Sequence, residues 1–227
     1  VDLLLENRGI KTAKEREDFL HPELESVTPE SVGIDLKQLK KALSRIKRAI
    51  EKKEQIIVFG DYDVDGITGA AILWETLHGL GANALPYIPH RVDEGYGLSV
   101  KGITNVSEQI KNIALIITTD NGIVANDAVD FANKQGIDVI ITDHHVPSKK
   151  LPRAVAIVHT TKLCGTAVAY LLAKEIKMQE NDHLALVALA TVADLVPLTG
   201  ANRTLLMHGL SVLHNTKRPG IVAMCKE

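Results

Sequence analysis

"QIIVFGDYDVDGITGAAIL", residues 55–73, runs from an unbroken apolar stretch into three aspartates and then into a helical pattern. Residues 56–59 carry no polar side chain, as expected of a strand covered on both faces. Asp61, Asp63 and Asp65 follow at every second position. On an extended chain they would share one side and repel one another. Either they form a solvated turn, since Asp and Gly are common turn residues, or a cation gathers them. A calcium loop of the EF-hand kind is excluded, because the twelfth position counted from Asp61 is Ile72 and not Glu.

Outward from this stretch the pattern repeats. Short apolar runs lie at 84–88, 114–119, 138–142 and 154–158, with helical patterns at 67–80, 99–111, 125–135 and 165–178. Such alternation predicts an α/β fold: a mostly parallel five-stranded sheet with helices on both faces. Upstream, residues 36–54 place Leu36, Leu39, Leu43, Ile46 and Ile50 at helical spacing behind Asp35, a good N-cap. A helical N-terminal segment over 1–54 therefore precedes a domain over 55–227, which turns helical again from 182 to 214 in two stretches, "HLALVALATVADLV" and "RTLLMHGLSVLH".

Ligands of open parallel sheets bind outside the carboxyl ends of the strands. Three of the five expected strands end there in acids or histidines: Asp61, Asp63 and Asp65; Asp120; and Asp143, His144 and His145. A further acid, Asp194, interrupts the apolar helical stretch "LVALATVADLVP". Each signal alone is weak, since "TTDNG" is an ordinary turn sequence and a lone acid in a helix can be paired. Their convergence on one edge is the stronger observation. Gathered carboxylates raise one another's pKa unless a counter-charge is present. Oxygen ligands with one or two imidazoles suit Mn²⁺ or Mg²⁺ better than Zn²⁺. So many ligands exceed the needs of one ion, and a pair bridged by one carboxylate fits phosphoryl chemistry.

The net charge of −2 and pI near 6.5 give no bulk attraction to nucleic acid or anionic membrane, so any polyanion must be held locally. Helix 36–54 is basic, with eight Lys and Arg against two Glu, which a solvated face explains more simply than a DNA contact. Cys164 and Cys225 belong to no CxxC pattern and read as reduced thiols of a cytoplasmic protein. No apolar run spans a membrane and no signal peptide opens the chain, which begins on Val and reads as part of something longer. In "PHRVDEGYG" (89–97), Arg91 follows a strand end, and Gly95 and Gly97 flank Tyr96. Arg91 has the planar fork for a terminal phosphate and Tyr96 a ring for a base; the plainer alternative pairs Arg91 with Asp93 or Glu94.

"VFGDYDVDGITGAAIL", "IITTDNGI", "GIDVIITDHH" and "ATVADLVPLTGANR" resemble the four ordered motifs of the DHH phosphoesterase superfamily. "IPHRVDEGYGLS" and the upstream "LLENRGI…FLHPEL" are similar to its single-strand-specific exonuclease branch, so the likeness spans nearly the whole chain. The resemblance implies two Mn²⁺ ions, with Mg²⁺ as a substitute. Asp61, Asp63 and Asp65 would divide between them, Asp120 would bridge, and His144 and Asp194 would complete the second. His145 would contact the scissile phosphate, with Asp143 orienting its neighbours. The implied activity is two-metal-ion hydrolysis of single-stranded DNA from its 5′ end, 5′→3′, in DNA repair and recombination, alongside other replication or repair proteins. Rival readings are an oligonucleotide phosphodiesterase of the nanoRNase kind, a manganese pyrophosphatase, or a replication scaffold that has lost catalysis. The segment at 159–163 is shorter than the branch's usual loop. The second domain (DHHA1-type) and the oligonucleotide-binding fold of the branch are not found in these residues.

Overall fold

The computed structural model describes residues 2–177 and 182–226. Helices α1 (Asp2–Glu6) and α2 (Ala13–Leu20) and a 3-10 turn lead into α3 (Leu36–Glu51). There follow β1 (Gln55–Phe59), α4 (Val64–His78), β2 (Ala84–Tyr87), α5 (Arg91–Glu94), α6 (Val100–Gln109), β3 (Ile113–Thr119), α7 (Asn126–Lys134), β4 (Asp138–Asp143) and β5 (Ala156–His159). The remaining helices are α8 (Gly165–Ile176), α9 (His183–Ala193), α10 (Gly200–Leu213) and α11 (Pro219–Met224).

The five strands form one sheet in the order β2-β1-β3-β4-β5, and every pairing is parallel. The chain steps from β1 outward to β2, then returns past β1 to β3. This reversal opens a crevice at the carboxyl ends of β1 and β3, where ligands of doubly wound sheets bind. Along β1, Ile56 and Val58 join the core under α3, α4 and α8, while Ile57 and Phe59 join the core under α6 and α7. Both faces are covered, so the strands can be apolar throughout.

Helix α3 shares the first of these cores. Asp35 caps it, accepting from Lys37 N at 2.7 Å. Its inner face centres on Leu39, Ala42, Ile46 and Ala49, whereas Leu36 is 40% exposed and Leu43 and Ile50 are only partly buried. The inner face thus keeps Leu39 and Ile46 of the expected stripe and adds Ala42 and Ala49. The N-terminal segment is tied to the far end of the chain as well. Arg203 donates from Nε to the Phe19 carbonyl at 2.6 Å and stacks on the Phe19 ring, and His208 Nε2 meets the Pro22 carbonyl at 2.8 Å.

Several boundaries differ from the sequence expectation. Helix α4 starts at Val64 and not at 67, because Asp63 accepts from Gly66 N at 2.9 Å and caps it. Strand β5 is displaced toward Ala156–His159, since its pairing with β4 begins at Ile140 opposite Ala156. The helix expected over 165–178 runs to Ile176, and Met178 lies outside the described residues. The two helical stretches within 182–214 are α9 and α10, and α9 ends earlier than its pattern, after Ala193, where Leu195 turns left-handed with φ +56° and Pro197 follows. Asp194 therefore ends a helix and does not interrupt one. Cys164 is buried, Cys225 exposed, and both are free thiols. Among the described residues no helix is long and apolar enough to cross a membrane.

Candidate metal centre

The crevice between β1 and β3 collects the acids one by one. Asp61 is fully buried at the end of β1; its Oδ1 accepts from Tyr62 N at 2.7 Å, and its Oδ2 has no hydrogen-bond partner. Gly66 lets α4 begin directly against it, for a Cβ at 66 would sit 2.4 Å from Asp61 N. Asp63 uses Oδ1 to cap α4. Asp65, on the first turn of α4, accepts backbone N–H groups on both oxygens, from Thr166 at 2.7 Å and Gly165 at 2.6 Å. Asp120 continues the β3–β4 ladder through its N–H to the Thr142 carbonyl, yet its φ is +64°. Non-glycine residues rarely adopt that conformation, and Asp is among those that tolerate it.

At the end of β4, Asp143 is 1% exposed and fully engaged. Its Oδ2 accepts from Ile123 N, and its Oδ1 accepts from the backbone N–H of His144 and of His145 and lies 2.8 Å from His145 Nδ1. Burial would raise its pKa, but these donors hold it below the ordinary carboxylate range. Asp143 thus aims both histidines. His144 Nε2 reaches into the crevice, 3.1 Å from Asp120 Oδ1, 3.7 Å from Asp65 Oδ2 and 3.8 Å from Asp194 Oδ2.

Among the described residues, three sets offer ligand-type atoms within 4.8 Å of one another: Asp61, Asp63 and Asp120; Asp65, His144 and Asp194; and Asp120, His144 and His145. Asp120 Oδ1 and His144 Nε2 are both buried, and close as they are, neither makes a hydrogen bond. Asp61 Oδ2 is likewise buried without a hydrogen bond, and Asp120 links its ligand set to the one that holds His144. Buried polar atoms are normally paired, so this donor set fits divalent cations. The electrostatics agree. Burial raises the pKa of Asp61, Asp120 and Asp194, with Asp65 and Asp63 adding to the rise at Asp120. Burial pulls His144 down, but the carboxylates of Asp120, Asp65 and Asp194 outweigh it and lift the imidazole to about 9.

An aromatic mouth borders this cluster. Tyr96 Oη lies 3.1 Å from His145 Nε2, and its ring meets the Tyr62 ring edge-on at 6.3 Å. Arg91 stands on α5 with its guanidinium over the Tyr62 ring, 4.5 Å from the centroid. It does not pair with its neighbours: Asp93 is bound by His90 and Glu94 accepts from Tyr87 Oη. The structure therefore brings Asp61, Asp63, Asp65, Asp120, His144, His145 and Asp194 into one crevice, with Tyr96 and Arg91 at its rim and Asp143 behind it. Sequence reasoning passed over Tyr62, Asn121 and the Gly165–Thr166 pair. Asn121 donates to the carbonyls of Phe59 and Thr119 and accepts from Leu98 N, pinning the Tyr96 loop to the sheet. Tyr62 and Asn121 lie inside quoted motifs; Gly165–Thr166 has no local signal.

Fold and crevice define a class, the doubly wound α/β domain with a carboxylate–imidazole centre at its strand carboxyl ends. The chain belongs to the DHH family: the family described as "DHH family, N-terminal domain" matches residues 55–195. It is 39% identical over 234 residues to the single-stranded-DNA-specific exonuclease RecJ of Bacillus subtilis (strain 168), covering 98% of this chain and 29% of that protein. The structure of RecJ in complex with Mn²⁺ from Thermus thermophilus superposes with a TM-score of 0.80 at 30% identity, over 99% of this chain and 33% of that one. The same protein in complex with Mg²⁺ gives 0.67 at 27% identity, over 99% and 29%. The chain thus spans about a third of the length of these relatives.

Proposed function

We propose that this chain is the catalytic portion of a 5′→3′ exonuclease specific for single-stranded DNA, acting in DNA repair and recombination through two divalent ions. The observation that carries this reading is Asp120, the one residue shared between the Asp61–Asp63 set and the His144–His145 set, with a buried oxygen that no hydrogen bond uses. Asp61, Asp63 and Asp120 would hold one ion, and Asp65, Asp120, His144 and Asp194 the other. Mn²⁺ suits the single imidazole, with Mg²⁺ as a substitute. Bound ions would supply an activated water and neutralise charge developing on the phosphoryl oxygens.

The chain's own groups supply position. His145, fixed through Nδ1 by Asp143, offers Nε2 to the scissile phosphate in place of Tyr96 Oη. Tyr96 offers a face to a base. Arg91 stacks its flat face on Tyr62 and keeps its N–H edge open to a terminal phosphate. Residues 55–227 form the catalytic domain in this reading, with 1–54 a helical extension that docks on it, in a cytoplasmic protein whose relatives are named for single-stranded DNA. The test incubates this chain with Mn²⁺ and, separately, 5′-labelled single-stranded DNA, a dinucleotide and pyrophosphate. Slow release of mononucleotides from DNA is expected, since the chain spans about a third of the length of its relatives. Faster turnover of the dinucleotide or pyrophosphate would overturn the assignment.

A further inference from the structure

The first turn of α8 lies against two carboxylates of the cluster at once. On one side, the N–H groups of Gly165 and Thr166 take one oxygen each of Asp65, and Thr166 Oγ1 donates to the Asp65 carbonyl at 2.6 Å. Thr166 Oγ1 also lies 2.7 Å from Thr68 Oγ1, one turn along α4. On the other side Gly165 abuts Asp120 so closely that a Cβ there would sit 2.6 Å from Asp120 Cβ and 2.8 Å from its Cα. We infer that Gly165 and Thr166 are positioning residues of the metal centre, setting the separation of Asp65 and Asp120 before any ion arrives.

This inference rests on reading the crevice as a two-ion site. Buried carboxylates without counter-ions repel and would rotate or draw apart. Asp65 can do neither, because both oxygens and its carbonyl are held by a single rigid turn. Asp120, left-handed at φ +64°, is held from the same turn by contact alone. One helix end therefore fixes two ligands that follow different strands, and a shift of that end moves one carboxylate relative to the other. Groups behind the ligands of a metal site commonly change its affinity 10–100-fold when mutated.

The experiment is Mn²⁺ titration of this chain, by calorimetry and by loss of the free-ion EPR signal, with the melting temperature of each metal-free variant as a fold check. Gly165→Ala is expected to weaken Mn²⁺ binding by roughly 10–100-fold and Thr166→Val by about tenfold, while Thr166→Ser, which keeps the hydroxyl, stays near wild type. If Gly165→Ala fails to fold, the Val and Ser pair at 166 carries the test. Lower melting temperatures with unchanged Mn²⁺ affinity would make these residues structural only and overturn the inference. A wild-type chain that binds no Mn²⁺ would instead remove the two-ion reading beneath it.

Discussion

At the scale of single residues, Asp120 dictates how it can be tested. Its backbone is left-handed at φ +64°, which Asn tolerates as Asp does, so Asp120→Asn removes the charge and leaves the conformation. Mn²⁺-supported cleavage should fall by more than ~10²-fold. Near-normal turnover at moderate Mn²⁺ would dismiss the shared carboxylate. Arg91 belongs to the same scale. Losing a charged hydrogen bond to a terminal phosphate costs roughly 1.5–3 kcal/mol, so Arg91→Ala should lower kcat/KM on 5′-phosphorylated strands that much more than on 5′-hydroxyl strands. Equal losses on the matched substrates would return Arg91 to a general contact held by Tyr62. Apart from Asp194, which ends helix α9, the acids were readable because each follows an apolar strand, where the parallel topology itself brings it to the common edge. Tyr62 under Arg91 was not readable, since a stack between a loop and a short helix depends on how the two pack. The grip of Gly165 on Asp65 spans 100 positions of sequence and leaves no periodic trace.

Among the elements, α4 is fastened at both ends. Its start carries Asp63 and Asp65, and its last turns carry Glu75, which accepts from Arg218 through both oxygens at 2.7 Å and lies 2.8 Å from His183. Burial would raise the Glu75 pKa, but Arg218 and His183 outweigh it and bring the carboxyl down to about 2. A depressed carboxylate stabilises the fold fully above its ordinary pKa near 4.5 and loses that contribution as pH falls toward about 2. Glu75→Gln should therefore cost about 1–3 kcal/mol at neutral pH and less at pH 3. Denaturant melts at the two pH values check this, and a cost that does not shrink in acid would exclude the ion pair as its source. Element types were legible from periodicity, whereas ends were not: α4 begins three residues early because Asp63 both caps it and faces the crevice. The separation of α9 from α10 was legible where the helical pattern lapses between Val196 and Arg203, but the left-handed Leu195 became visible only in three dimensions.

Over the whole molecule, the carboxylate–imidazole cluster should govern how stability varies with pH. His144 is lifted from 6.5 to about 9 and Asp120 is raised with it. Groups whose folded pKa is raised stabilise the fold below their ordinary pKa and lose that contribution as pH climbs through the folded value. The metal-free chain should thus melt at lower temperature as pH rises from about 6.5 to 9, and added Mn²⁺ should raise the melting temperature most at the alkaline end. A Mn²⁺-induced rise that shrinks with pH would contradict this. The ties from Phe19 to Arg203 and from Pro22 to His208 bear on a different matter, the order of events during synthesis. The first of them joins residues 184 positions apart. At ribosomal rates of 5–20 residues per second, roughly 10–40 s separate the appearance of the two partners. During that interval α2 has no α10 to rest on, and Phe19 and Leu24 stay open to solvent. A segment made so long before its partner is among the last to be secured, and in the interval it lies open to a chaperone or a protease acting on the nascent protein.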